Sequence, residues 1–526
     1  MSYVAPAEHA GSMYDDWDLP QEQLPLAHFP LQAPRSIFIP IAFLLPVILS
    51  AVSWFSGGLA LLSDTSMLII TILCAALLFV ELLHFGTRFG IGAIVLYGGV
   101  LIWFCHDYLF NWFLHDFNIE YPAYPGVTAQ LISRVVFFHC VFIELMVIAF
   151  RIPVGRWAER LVTAVPEPAD ERFYLWIVSI FFIFGLSAFL FSTESFPIAV
   201  LKVPFQQWVG PVEFTVSRTG NMNYNWGGYV AQIIQMGEVG GLLGAAYALL
   251  VARGWLGRFF GLGVWAYWTA DVLPTGRRGY LAFMLLPFVG MVFLKYHAQA
   301  AAQLRRRNLR ALLVLGVLCI CVWGAVARET AIRSGDDSIQ WFRVAGNSMF
   351  SEGLRAWELI PSERGYAFDT FPGATFLRPI PDSVWSLVSG LVPRTIWAGK
   401  GGADEFVLWY DSYISGDRRA IDSGGVVGTT ISSGAVGYWY FRYGPIGVIE
   451  GGLFYGWLLG VSERAFRMSL GKPLKMLFAL SFATFMFRSY RDLWWHNIDG
   501  LLLGGIGAYI IIKLFFSAPP QPLPMA

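Results

Sequence analysis

The stretch AQLISRVVFFHCVFIELMVIAF, Ala129 to Phe150, decides what kind of molecule this is. It is long enough to cross a bilayer as one helix, and Arg151, Arg156, Arg160 and Arg172 follow it in a charged connection. Outward from it the same alternation recurs. Apolar runs of span length lie at 37–55, 65–84, 89–110, 129–150, 173–193, 226–251, 256–273, 279–296, 309–327, 433–461, 473–489 and 494–516. A chain that is 56% hydrophobic and only 14% charged cannot hide so much apolar surface in a soluble core. The expected fold class is therefore an all-α polytopic membrane protein of about 12 transmembrane helices.

The polar, Pro-rich leader before the first run shows no small-residue cleavage site, so the first helix is expected to be retained. Residues 1–36 are then a cytoplasmic leader, 37–327 hold membrane helices 1 to 9, 433–516 hold helices 10 to 12, and 517–526 form a cytoplasmic tail. Between them, 328–432 is one long extracytoplasmic loop containing short helices on the membrane surface. Basic residues set this orientation. The expected inside loops carry Arg88; Arg151, Arg156, Arg160 and Arg172; Arg253 and Arg258; Lys295, Arg305, Arg306, Arg307 and Arg310; and Arg464, Arg467, Lys472 and Lys475. The loop at 111–128 has acidic residues and neither Lys nor Arg, as an outside loop should.

Charge sums to zero and gives no footprint for nucleic acid. The five cysteines, Cys74, Cys105, Cys140, Cys319 and Cys321, lie in apolar runs without metal-ligand spacing. They read as buried fillers, and neither a metal nor a cofactor is expected. Glu81, His84, His106, His139 and Glu144 lie in or beside apolar runs, where polar groups turn to the bundle interior; a proton relay is the sharper alternative. Gly240, Gly241, Gly244 and Ala245 are spaced for close helix packing rather than for a phosphate loop.

Several arginines break the orientation rule. Arg277 and Arg278 in PTGRRG fall in a short outside loop, flanked by Gly276 and Gly279, which let a ligand approach the backbone. Arg488 and Arg491 lie in another outside loop. Arg343, Arg378, Arg394 and Lys400 belong to the long one. Long loops are largely exempt from the rule, and solvated or ion-paired arginines are ordinary there. In the short loop, where arginine's planar fork suits bidentate recognition, a membrane-bound phosphate or pyrophosphate is the natural partner.

The motifs GLVPRTIWAGK (390–400), TTISSGAVGYWYFRYGPIGVIEGGLFYGWLLG (429–460) and PTGRRGYLAFMLL (274–286) resemble signatures of the oligosaccharide repeat unit polymerases, the Wzy-type O-antigen and exopolysaccharide polymerases. They stand in the family's order and cover the second half of the chain. Gly401 replaces a more usual Pro, and paired arginines stand where the family has one.

The resemblance implies an inverting, metal-independent glycosyltransferase of the membrane-embedded C-type architecture, acting on undecaprenyl pyrophosphate-linked oligosaccharide at the periplasmic face of the bacterial inner membrane. Partners would be the lipid-linked substrate, membrane lipids and a chain-length regulator. Cleaving a sugar to pyrophosphate bond develops negative charge, which Arg277, Arg278, Arg394 and Lys400 are placed to stabilise, with Arg343 and Arg378 as further candidates. For a general base the sequence leaves Glu352, Asp404, Glu405, Asp411 and His496 open. Trp397, Tyr410, Tyr438 and Tyr440 could stack on sugars, with Arg488 and Arg491 as further substrate contacts; interfacial anchoring is the plainer role for the aromatics. An O-antigen ligase, to which His496 is also suited, and a transporter or flippase of lipid-linked sugars are the alternatives.

Overall fold

The structure, a computed structural model, describes residues 38–55, 63–86, 91–101, 129–165, 167, 170–193, 227–272, 283–292, 434–470, 472–490, 510 and 513; at some of these only the backbone is described. The regular elements among the described residues are helical. In chain order they are α1 (Phe38–Phe55), α2 (Ser63–Gly86), α3 (Ile91–Ala93, continued by a π turn at Ile94–Gly98), α4 (Ala129–Phe150) and α5 (Gly155–Ala164). Next come α6 (Glu171–Thr193), α7 (Gly227–Ala246, continued by a π turn at Tyr247–Val251), α8 (Trp255–Val272) and α9 (Phe283–Val292). Last are α10 (Gly434–Met468) and α11 (Pro473–Ser489).

Most of these elements fall on the apolar runs, whose many Leu, Ala, Met and Phe residues propagate a helix while the few hydroxyls bond back to the preceding turn, as Ser50 does to the Val47 carbonyl and Thr484 to that of Leu480. Their outer faces are as apolar as their inner ones. Ile48, Val52 and Phe55 on α1, Ile69 and Phe79 on α2, Trp176 and Ile183 on α6, and Trp255 and Phe259 on α8 are exposed. Helices apolar all round suit a lipid surround rather than water. Among the described residues, Gly444–Met468 is long and apolar enough to cross a membrane by itself. Runs at 309–327 and 494–516 lie outside the described residues apart from Ile510 and Lys513.

Glycine sets the closest helix contact. Gly452, Gly456 and Gly460, one turn apart on α10, lie against Phe142, Met146 and Phe150, one turn apart on α4. A Cβ at Gly452 would stand 2.8 Å from the Phe142 carbonyl oxygen, and one at Gly460 3.0 Å from that of Phe150. Residue numbers rise together along both helices, so α4 and α10 run parallel, with small residues at every fourth position admitting the neighbouring backbone. The glycines of α7 act likewise: Gly240 abuts Phe181 on α6, and Gly244 and Gly261 meet each other's carbonyls across α7 and α8. That agrees with the packing role expected for Gly240, Gly241 and Gly244. Here the paired numbers run in opposite senses, making both pairs antiparallel. Cys74 and Cys140 are buried, as the filler reading expects.

Two features depart from the sequence expectation. The run 433–461 is not one straight span, because α10 breaks at Gly444, whose φ of 64° and ψ of −156° interrupt the helix just before Pro445. Trp439 and Phe454 have ring centroids 6.4 Å apart, whereas fifteen residues of straight helix would separate them by about 22 Å. Thus 434–443 folds back against the long arm Gly444–Met468, which itself runs past 461. The second departure is α5, turned 77° from α4 in the connection expected only as a basic loop. Its Ala158 and Val162 pack on Val461 and Ala465 of α10, while Arg156, Trp157 and Arg160 face outward.

Candidate functional site

One end of the bundle collects the described basic residues of the expected inside loops, among them Arg151, Arg156, Arg253, Arg467 and Lys475, and acidic side chains there fasten helix starts. Glu463 accepts from the Gly92 N–H at 2.8 Å, in the first turn of α3, and pairs with Arg467 at 2.6 Å. Glu167 accepts from the Tyr174 hydroxyl and from the N–H groups of Leu474 (3.2 Å) and Lys475 (3.3 Å). These are the first free donors of α11, which opens on Pro473, a residue with no N–H to satisfy. A carboxylate at that position also meets the positive end of the helix dipole. Burial nevertheless pushes the Glu167 carboxyl above its ordinary value, against the lowering effect of Tyr174, the two N–H groups and the Lys475 charge. Glu171 accepts from the Tyr247 hydroxyl (3.3 Å) and the Arg253 N–H (3.2 Å), tying α6 to the end of α7. This end is architecture built from charge.

The opposite end holds a different arrangement. Arg134 lies in the second turn of α4. Its guanidinium carbon stands 5.7 Å from the ring centroid of Trp54, at the end of α1, and 5.3 Å from that of Tyr440 in the folded-back arm of α10. Nη2 of Arg134 donates to the Tyr440 hydroxyl. Tyr440 is only 4% exposed and its ring is tilted against that of Phe138, with centroids 4.7 Å apart. Its ring thus meets both Phe138 and Arg134, one turn apart on α4. Trp439 beside it, 2% exposed, packs on Gly451 and wedges the two arms of α10.

Of the residues singled out from sequence, Tyr440 is brought into this cluster. Tyr438 and Arg488 lie on α10 and α11, with their side chains outside the described residues. Arg277, Arg278, Arg343, Glu352, Arg378, Arg394, Trp397, Lys400, Tyr410, Arg491 and His496 lie outside the described residues, as do Asp404, Glu405 and Asp411. Arg134 was not a sequence candidate. It sits inside an apolar run, and its partners are remote in the chain; a charge within such a run was the available signal.

Glu144 is 5% exposed with Oε2 lacking a hydrogen-bond donor. The side chains of Glu81 and His84, and all of His106, lie outside the described residues. Among the described residues no group of His, Cys, Asp and Glu could hold a metal ion. No family model, curated protein or solved structure matches this chain.

Proposed function

We propose that the chain is a multi-pass inner-membrane glycosyltransferase that polymerises undecaprenyl pyrophosphate-linked oligosaccharide repeat units into a bacterial surface polysaccharide. The observation that carries the reading is the motif-bearing segment 429–460. Its described part folds sharply at Gly444 and sets Tyr440 against a cation, at the end of the bundle away from the basic cluster. That is the end where the reading needs recognition of an anionic, lipid-borne donor. The apolar exterior of the helices supports the membrane setting.

In the proposed reaction a hydroxyl of the incoming repeat unit attacks the anomeric carbon of the growing chain. The bond from that carbon to the pyrophosphate oxygen breaks, and the carrier leaves with the electron pair. The hydroxyl proton passes to a base, for which Glu352, Asp404, Glu405, Asp411 and His496 are the candidates. Arg277, Arg278, Arg394 and Lys400 offset the charge that grows on the leaving phosphate. Periplasmic orientation, inverting stereochemistry and a chain-length regulator belong to the same proposal.

The test is product formation by the purified protein given a synthetic undecaprenyl pyrophosphate repeat unit. Wild type should give a ladder of lipid-linked oligomers, and Arg394→Ala and the double variant Arg277→Ala/Arg278→Ala should each lose about a hundredfold or more in rate while remaining folded. Absence of a ladder, with saturable translocation of the same lipid, would replace the polymerase by the transporter.

A further inference from the structure

Arg134 has no carboxylate partner among the described residues. Its described contacts are the Tyr440 hydroxyl and the Trp54 and Tyr440 rings. Nε is buried and lacks an acceptor. A guanidinium carries five N–H donors, and one bond to a phenol plus two ring contacts leaves its charge and most of those donors without an anion among the described residues. Retaining such a group in an apolar helix is costly unless something binds to it.

The surroundings narrow what that something is. Val52 and Phe55, flanking Trp54 on α1, are 61% and 76% exposed, so the cation sits next to an outward apolar surface. An amphiphile with an anionic group at its polar end meets both features. An arginine that merely snorkels to headgroups keeps its side chain free. Here the guanidinium carbon stands 5.7 Å from the Trp54 ring centroid and 5.3 Å from that of Tyr440, whose hydroxyl takes one of its N–H groups, so the group is held by two aromatic side chains with N–H donors left for an oxyanion.

We propose that Arg134, positioned by Trp54 and Tyr440, is a binding site for the pyrophosphate group of a membrane-borne lipid, in preference to the phosphodiester of an ordinary phospholipid. This rests on the proposed function in taking undecaprenyl pyrophosphate as the probe. Arg134 is the ligand-touching residue; Trp54 and Tyr440 act through it.

The experiment uses the full chain in phosphatidylcholine nanodiscs and an undecaprenyl pyrophosphate analogue bearing a diazirine beside the phosphates. Adducts mapped by mass spectrometry should fall on the α4 peptide around Arg134 or on the peptide containing Trp54. Adducts confined to other segments, or none, overturn the site without any variant having to fold. Competition by free inorganic pyrophosphate shows that the anion alone is recognised, and competition by unlabelled undecaprenyl pyrophosphate alone shows that its lipid is also required. Either supports the site, whereas phosphatidylglycerol competing at equal concentration reduces it to an ordinary headgroup contact and overturns it. Arg134→Gln should weaken probe binding by roughly tenfold or more, the scale of a charged hydrogen bond. Arg134→Lys, which keeps the charge but lacks the planar fork, should recover only part of it; full binding by folded Arg134→Lys or Arg134→Gln sinks the proposal. Adducts at Arg134 without a product ladder would remove polymerisation and leave this site standing, and a ladder with adducts elsewhere would do the reverse.

Discussion

At the scale of single residues, the shape of the far end depends on one backbone conformation. Gly444 has φ 64° and ψ −156°, a region that side chains make expensive, by about 1–3 kcal/mol. Gly263, on the exposed side of α8, has nothing within 4 Å of where a Cβ would stand. The two glycines therefore give a matched pair. Gly444→Ala should lower the melting temperature of the purified protein and loosen the Trp439 wedge, while Gly263→Ala should be neutral or gain about 0.5–1 kcal/mol from helix propensity. Equal melting of both variants would mean that the break at Gly444 stores no strain. The sequence carried the signal for this break, since Gly-Pro is a strong punctuator, but a long apolar run absorbed it. Arg134 was hidden for another reason: Trp54 and Tyr440 become its neighbours only through tertiary contact.

At the scale of elements, apolar run length predicted helices well. The runs at 129–150 and 473–489 match α4 and α11 at both ends. It could not predict α5, which alternates charged and apolar residues too briefly to form a span and declares itself only by packing Ala158 and Val162 on α10. Capping was equally invisible, because Glu167 and the start of α11 are separated by 307 positions. That cap has a pH signature. The folded Glu167 carboxyl lies above its ordinary 4.5, so between 4.5 and its raised value the folded state holds more proton than the unfolded one. Stability from this group is present below that window and falls as pH rises through it. Glu167→Gln removes the titration while keeping an acceptor for the helix start. Melting measured from pH 4.5 upward should decline less steeply in the variant than in wild type; parallel slopes would show that this carboxyl contributes nothing to the pH dependence.

At the scale of the whole molecule, direction is the informative quantity. The glycine contacts make α4 and α10 parallel, and α7 antiparallel to both α6 and α8. Trp265 meets Met284 and Phe288, and Gly290 meets Leu480, so α9 heads toward the basic end, whereas α10 starts at the other end. On the proposed orientation the basic end, with Arg156, Arg160, Arg253 and Arg467, faces the cytoplasm, as the bias of Lys and Arg requires. Thr163, exposed on α5 at that end, and Asn118, in the lysine- and arginine-free segment before α4, then report opposite sides. In a background with all five cysteines replaced, Asn118→Cys should react with a membrane-impermeant maleimide in spheroplasts, and Thr163→Cys only after the membrane is permeabilised. Reaction of Thr163→Cys alone in intact spheroplasts would invert the molecule. Arg134 and Tyr440 would then face the cytoplasm, and a periplasmic polymerase could not use them to receive its lipid-linked donor.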